Sequence, residues 1–120
     1  MKKVLTIYFL LQFSFGYTQC IEGDCENGTG TYKYEKIGAL FKGEFKDGLR
    51  FQGKMTYKDG SVYQGEFKDG LMSIGKITYK DGPIEEGEFN KAGRLNGQGK
   101  RTYKNGTIEE GEFKKGKFKG

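Results

Sequence analysis

The sequence predicts an all-β protein: an elongated single-layer antiparallel meander of stacked β-hairpin repeats, preceded by a cleavable signal segment. Three observations carry this. The tripeptide Gly-Glu-Phe recurs at Gly43, Gly65, Gly87 and Gly111, in steps of 22, 22 and 24 residues, and a fixed period of this size marks a stacked architecture. A second marker keeps the same phase: Gly53, Gly75 and Gly99 each open a Gly-Lys-x-Thr-Tyr run ending at Tyr57, Tyr79 and Tyr103. Third, the chain has 21 glycines, and each would cost about 1 kcal/mol inside a helix.

Residues 1–19 read as a signal peptide. Lys2 and Lys3 lead, and the run VLTIYFLLQFSF follows without a charge, which is the basic start and short apolar centre of a secretory leader. At about 12 residues the run is too short for a membrane-spanning helix, which needs roughly 20. Cleavage is expected near Thr18 or Gln19. The mature protein is then exported, to the periplasm, the cell surface or the medium.

Residues 20–40 read as a degenerate first repeat that caps the array. Cys20 and Cys25 are the two cysteines of the chain, and an exported chain with an even cysteine count is expected to pair them. Tyr17-Thr18-Gln19-Cys20 lacks the leucine and small residue of a lipoprotein box. With no histidine and no second cysteine pair, a zinc site has too few ligands, so no metal and no cofactor is expected.

The array occupies residues 41–120, as units 41–62, 63–84, 85–108 and a partial 109–120. Phe41, Gly43 and Phe45 share a parity, as do Tyr63, Gly65 and Phe67, so one strand face is aromatic, glycine, aromatic, while Lys42, Glu44 and Lys46 point the other way. In the second run Gly53, Met55 and Tyr57 face one side and Lys54, Thr56 and Lys58 the other. Asp47-Gly48, Asp59-Gly60, Asp69-Gly70, Asp81-Gly82 and Asn105-Gly106 supply residues that tolerate the positive φ of tight hairpin turns. Strands of about five residues are expected between them. The longer third step has two sources, Asn90 to Gly93 and Arg94 to Gly99, each one residue longer than its counterpart; both are expected in turns. Glycine inside a strand leaves room for a ring to lie across the backbone. Thirteen aromatics remain beyond the leader, and with few aliphatics they supply most of the buried area.

The charge balance is mildly basic. Removing Lys2 and Lys3 from 21 Lys+Arg leaves 19 against 16 Asp+Glu, an excess of +3. Lysines alternate with acids instead of forming a stripe, which argues against nucleic acid.

Tyr63-Gln64-Gly65-Glu66-Phe67-Lys68-Asp69-Gly70, followed by the run from Gly75 to Gly82, resembles the MORN repeat, the membrane occupation and recognition nexus motif. The resemblance covers Phe41 to Gly120, with Gly28-Thr29-Gly30-Thr31-Tyr32 recognisable in the opening unit, and points to an exported, bacterial-type member. The chain departs from the motif where Phe51 and Ser73 replace the first glycine of a pair, and where Glu85 and Glu109 replace the leading aromatic of Phe41 and Tyr63. The resemblance implies an elongated twisted sheet used as a protein-interaction scaffold, with lipid-headgroup binding as an alternative.

The reading that follows is a non-enzymatic scaffold that binds a protein partner, or itself, through the aromatic face. Its candidate residues are Phe41, Phe45, Tyr57, Tyr63, Phe67, Tyr79, Phe89, Tyr103 and Phe113, each of which also serves as core. The alternative is an anionic phospholipid surface, met by Lys54, Lys58, Lys76, Lys80, Lys100 and Lys104. Against it, Glu44, Glu66, Glu88 and Glu112 form an acidic column on neighbouring strands, and cross-strand Glu/Lys pairing accounts for both columns without lipid. An enzyme is not expected. There is no histidine, no Gly-x-Ser-x-Gly elbow and no phosphate loop, and the adjacent acids Glu85-Glu86 and Glu109-Glu110 point to opposite faces of a strand.

Overall fold

The computed structural model describes residues 19–120; the expected leader lies outside them but for Gln19. Ten strands follow one another in a single sheet: β1 (Cys20–Gly23), β2 (Gly28–Tyr34), β3 (Ala39–Lys46), β4 (Leu49–Thr56), β5 (Val62–Lys68), β6 (Leu71–Thr78), β7 (Ile84–Phe89), β8 (Leu95–Thr102), β9 (Ile108–Lys114) and β10 (Lys117–Phe118). Spatial order equals chain order and every neighbour is antiparallel. The sheet measures 68 × 25 × 21 Å with a radius of gyration of 18.2 Å, against about 13 Å for a compact domain of this length. The repeat strands run six to eight residues, longer than the expected five, because pairing continues through both glycine markers.

The glycines form one continuous row across the sheet. Gly30, Gly43, Gly53, Gly65, Gly75, Gly87, Gly99 and Gly111 stand opposite one another from β2 to β9. A Cβ on Gly53 would lie 2.8 Å from Cζ of Phe41, and one on Gly75 would lie 2.7 Å from the Tyr63 hydroxyl. Rings therefore lie across the row, as bare backbone permits. They also touch end to end: Tyr34, Tyr32, Phe45, Phe41, Phe67, Tyr63 and Phe89 form a chain with successive ring centroids 4.5 to 6.2 Å apart. The contacts from Phe41 onward are T-shaped, the edge-to-face arrangement that the ring quadrupole favours by about 0.5–1.5 kcal/mol per pair. Ala39, Met55, Ile77, Leu95 and Phe113 complete the core.

Connections within the array take two forms. Asp47-Gly48, Asp69-Gly70 and Lys115-Gly116 are two-residue turns with positive φ at both positions, the geometry that matches strand twist. The other turns are wider than the sequence suggested. In Tyr57–Ser61, Tyr79–Pro83 and Tyr103–Thr107 the first N–H donates to the last C=O at 2.9, 3.3 and 2.8 Å, and Asp59, Asp81 and Asn105 are not left-handed. Gly82 is not either, because Pro83 holds the preceding residue toward extended backbone.

Of the two insertions in the third unit, only one falls in a turn. Asn90–Arg94 adopts the five-residue form, with the Asn90 N–H donating to the Arg94 C=O at 2.9 Å. The other is absorbed inside β8: between the pairs Gly87↔Gly99 and Phe89↔Leu95, Glu88 faces three residues, Asn96 to Gln98. The Gln98 N–H donates to Glu88 Oε2 at 2.9 Å, so a side chain satisfies the backbone where the ladder is interrupted. At the other end of the sheet Cys20 and Cys25 are joined by a disulfide, which closes the loop between β1 and β2.

Candidate functional site

Three rows of side chains share the aromatic face. The first runs Phe41, Met55, Tyr63, Ile77, Glu85, Arg101, Glu109, each opposite the next. The second is set by bulges. Gly43 pairs with Gly53 but Phe45 pairs with Arg50, leaving one extra residue on β4, and the same slip between Gly65 and Phe67 puts Met72 opposite Phe67. The motif phenylalanines Phe45, Phe67, Phe89 and Phe113 thus face Arg50, Met72, Leu95 and Phe118. The third row is Tyr34, Tyr57, Tyr79 and Tyr103, where strands meet loops, all half-buried.

The nine candidate residues divide by exposure. Phe41, Phe45, Tyr63, Phe67, Phe89 and Phe113 are buried among one another and their cross-strand partners; Tyr57, Tyr79 and Tyr103 keep a reachable surface. The Tyr63 hydroxyl donates to the Glu66 C=O at 2.5 Å. Burial pushes Tyr63 up to about 12. Burial also raises Tyr79 to about 12, helped by the Glu85 charge, whose Oε1 accepts from the Tyr79 hydroxyl at 3.2 Å.

Two arginines that were not among the candidate residues complete the face. Arg101 bonds Glu85 through Nη2 and Nε, at 2.7 Å each, and Glu109 through Nη1 at 3.3 Å. It also donates to the Gly116 C=O and lies over the Phe113 ring. Burial alone would lower its pKa, but hydrogen bonds and charge, Glu85 foremost, raise it. The acids that replace the leading aromatics are therefore part of an ion cluster. Among the described residues Arg50 has no such partner. Its guanidinium lies 5.1 Å from the ring centres of both Tyr34 and Phe67 and donates to the Gly70 C=O.

On the opposite face the lysines do not make one column. Lys54, Lys76 and Lys100 sit in strands, whereas Lys58, Lys80 and Lys104 sit in the wide loops. Lys58 and Lys80 lay their stems over Gly38 and Gly60, each two connections back along the chain, and Lys104 bridges to exposed Asp81 at 3.6 Å. Register puts Lys76, Glu86, Lys100 and Glu110 in sequence, so opposite charges do alternate there. The acids Glu44 and Glu66 instead face Gln52, Glu88 stands opposite Ile74, and Glu112 opposite Gln98. Cross-strand pairing thus accounts for the C-terminal lysines only; Lys42 stands directly opposite Lys54. Among the described residues no three of His, Cys, Asp or Glu gather as metal ligands would.

The sequence model of the MORN repeat matches residues 41–51, 52–62, 63–83, 86–108 and 110–120. No curated protein gives a significant match to the chain. MORN repeats are non-catalytic modules that generally mediate protein or membrane interactions. With five matched segments that take in the glycine row from Gly43 to Gly111, this chain belongs to the MORN repeat family.

Proposed function

We propose that the protein is a non-enzymatic scaffold, exported to the cell envelope or secreted, that binds a protein partner through its aromatic face. The observation that carries the reading is the half-covered tyrosine row of Tyr34, Tyr57, Tyr79 and Tyr103, on a single-layer sheet beside exposed Leu49 and Leu71. Half-covered rings with polar tips, joined at the Tyr34 and Tyr57 end by exposed leucines, are the kind of surface that partners cover. Affinity capture from the envelope and culture fluid of the host, with wild-type and Y57S/Y79S/Y103S bait, tests it. A partner retained by the wild type and lost by the triple variant is expected; equal retention removes the aromatic face from the reading. Sedimentation of the bait alone separates self-association from a second protein. Mass determination of protein from its host tests export, and an intact Met1 terminus would sink that half.

A second reading has its own support. Lys33, Lys42 and Lys54 lie exposed on the opposite face of the N-terminal half, and among the described residues none forms a salt bridge or stands opposite an acid. Such charges attract anionic headgroups at about 1 kcal/mol each near the surface. Salt-sensitive co-sedimentation with phosphatidylserine vesicles, lost when the three become glutamine, is the expected result if lipid is the target.

A further inference from the structure

We propose that the groove around Arg50 is a carboxylate subsite, which takes an acidic side chain of an extended partner segment while a neighbouring apolar side chain of that segment rests on Leu49 and Leu71. This rests on the interaction reading above and names the chemistry of the partner.

Arg50 stands out by its place in the repeat. The position facing the motif phenylalanine holds Arg50, Met72, Leu95 and Phe118 in successive units, so packing there is met by an apolar residue in every unit but the first. The guanidinium is held in place: Tyr34 flanks it from the preceding unit and Phe67 from the following one, and the Gly70 C=O takes one of its protons. Fixing an arginine between rings removes much of the entropy a ligand would otherwise have to freeze out.

Its charge is nevertheless unanswered. Nε is shielded from solvent and has no hydrogen-bond acceptor among the described residues, although buried polar atoms are paired in most proteins. Among the described residues no carboxylate lies within salt-bridge distance of Arg50. Arg101 on the same face has two, so the face can neutralise an arginine and does not do so here. The groove beside it, of ≈ 400 Å³, is lined by Tyr32, Tyr34, Phe45 and Leu49 on one side and Gly70 and Leu71 on the other. Leu49 and Leu71 are 49% and 41% exposed, which provides an apolar shelf next to the cation.

A carboxylate fits better than a phosphoryl group. One planar guanidinium matches one carboxylate through a two-pronged contact. A phosphate dianion calls for several donors; among the described residues this groove has Arg50 as its one cation and Asp69 on its rim, while Lys91 lines a separate hollow that Arg50 and Leu71 also border.

The test uses the 15N-labelled full chain and three probes of similar size: 3-phenylpropionate, its amide, and phenyl phosphate. Saturable shifts of the Arg50 Nε–Hε resonance by 3-phenylpropionate, at least tenfold weaker binding of the amide, and loss of binding in R50M are expected. Methionine is the residue at the equivalent Met72, so an unchanged circular dichroism spectrum is expected to show that R50M folds; R50K, which keeps charge without the planar fork, should retain part of the affinity. Equal binding of acid and amide, unchanged binding by R50M, or phenyl phosphate binding at least tenfold tighter than the acid each overturns the proposal. Capture of the same partners by R50M and wild type would overturn it as well, leaving the scaffold reading intact. Probe binding without any captured partner would sink the scaffold reading while the subsite stands.

Discussion

Glu85 Oε2 and Arg101 Nη2 stand 2.7 Å apart, in the row where Tyr63 faces Ile77 one unit earlier and Phe41 faces Met55 one unit before that. An ion pair has replaced an aromatic-aliphatic pair at the same register. The two side chains are 8% and 14% exposed, so desolvation weighs heavily on both charges.

Removing one charge of this pair should therefore hurt more than removing the whole cluster. E85Q leaves Arg101 with Glu109 alone and is expected to cost about 3 kcal/mol, as for other buried pairs broken on one side. The triple change E85Y/R101I/E109Y restores the row to the pattern of the second unit and is expected to be neutral or stabilising by about 1–4 kcal/mol. Urea titrations followed by tyrosine fluorescence measure both. A triple variant less stable than E85Q would mean that the cluster specifies the local fold.

Gly75 tests the ring-over-backbone arrangement. A methyl there would approach the Tyr63 hydroxyl and the Gln64 C=O at 2.7 Å each, and overpacking of this kind costs about 1–3 kcal/mol. Gly106 is the control: nothing lies within 4 Å of an added Cβ, but its φ is +92°, so G106A should pay only backbone strain, about 1 kcal/mol. G75A is expected to melt clearly below G106A. Equal melting would show that the ring yields without cost.

How far the sequence reveals this face depends on what interrupts its alternation. Parity places Phe41, Phe45, Tyr63 and Phe67 on one side, and they are buried together. Arg101 was legible too, since the x of Gly-Lys-x-Thr-Tyr shares the parity of Met55 and Ile77; what parity did not give was its contact with Glu85. Arg50 shares the parity of Lys54 and Gln52, which puts it on the opposite face, and the bulge reverses this. Counting exposes the conflict. A two-residue turn at Asp47-Gly48 pairs Phe45 with Arg50 and would bring Gly43 against Gln52, whereas the glycine row demands Gly53. Register fixed from two ends disagrees by one residue, and a bulge is the physical resolution. The wide loops escaped for another reason: Asp-Gly serves either turn, and the choice depends on the strand register around it.

Reduction of the disulfide should act locally. Cys20 and Cys25 close a loop with a sequence separation of 5, for which chain entropy gives about 2 kcal/mol. In a repeat array each unit contacts only its neighbours, so the loss should stay near β1 and β2, where Lys33 N–H reaches the Gln19 C=O and Asp24 N–H the Thr29 C=O. Hydrogen exchange after reduction is expected to accelerate at residues 20–34 and stay unchanged beyond Val62. Uniform acceleration would show that the cap holds the entire array.

Alkaline pH should dissolve the aromatic face through its tyrosines. Tyr63 and Tyr79 are each raised from 10.0 to about 12, first by burial, with nearby carboxylate charge adding to it. Tyrosine is neutral when protonated, so a raised value means that the folded state resists ionisation while the unfolded chain ionises freely. Stability is then fully present below pH 10 and drains away as pH rises toward 12. Tyr34 and Tyr57 are raised as well, chiefly by burial, but the Arg50 charge pulls against the shift in both. Absorbance at 295 nm should therefore show tyrosinate forming late, with the last rise coinciding with loss of the β-sheet circular dichroism signal. In R50M the opposing charge is gone, so Tyr34 and Tyr57 should titrate higher than in the wild type. Complete ionisation near pH 10 with the sheet intact would contradict the burial of Tyr63 beneath the glycine row's neighbouring rings.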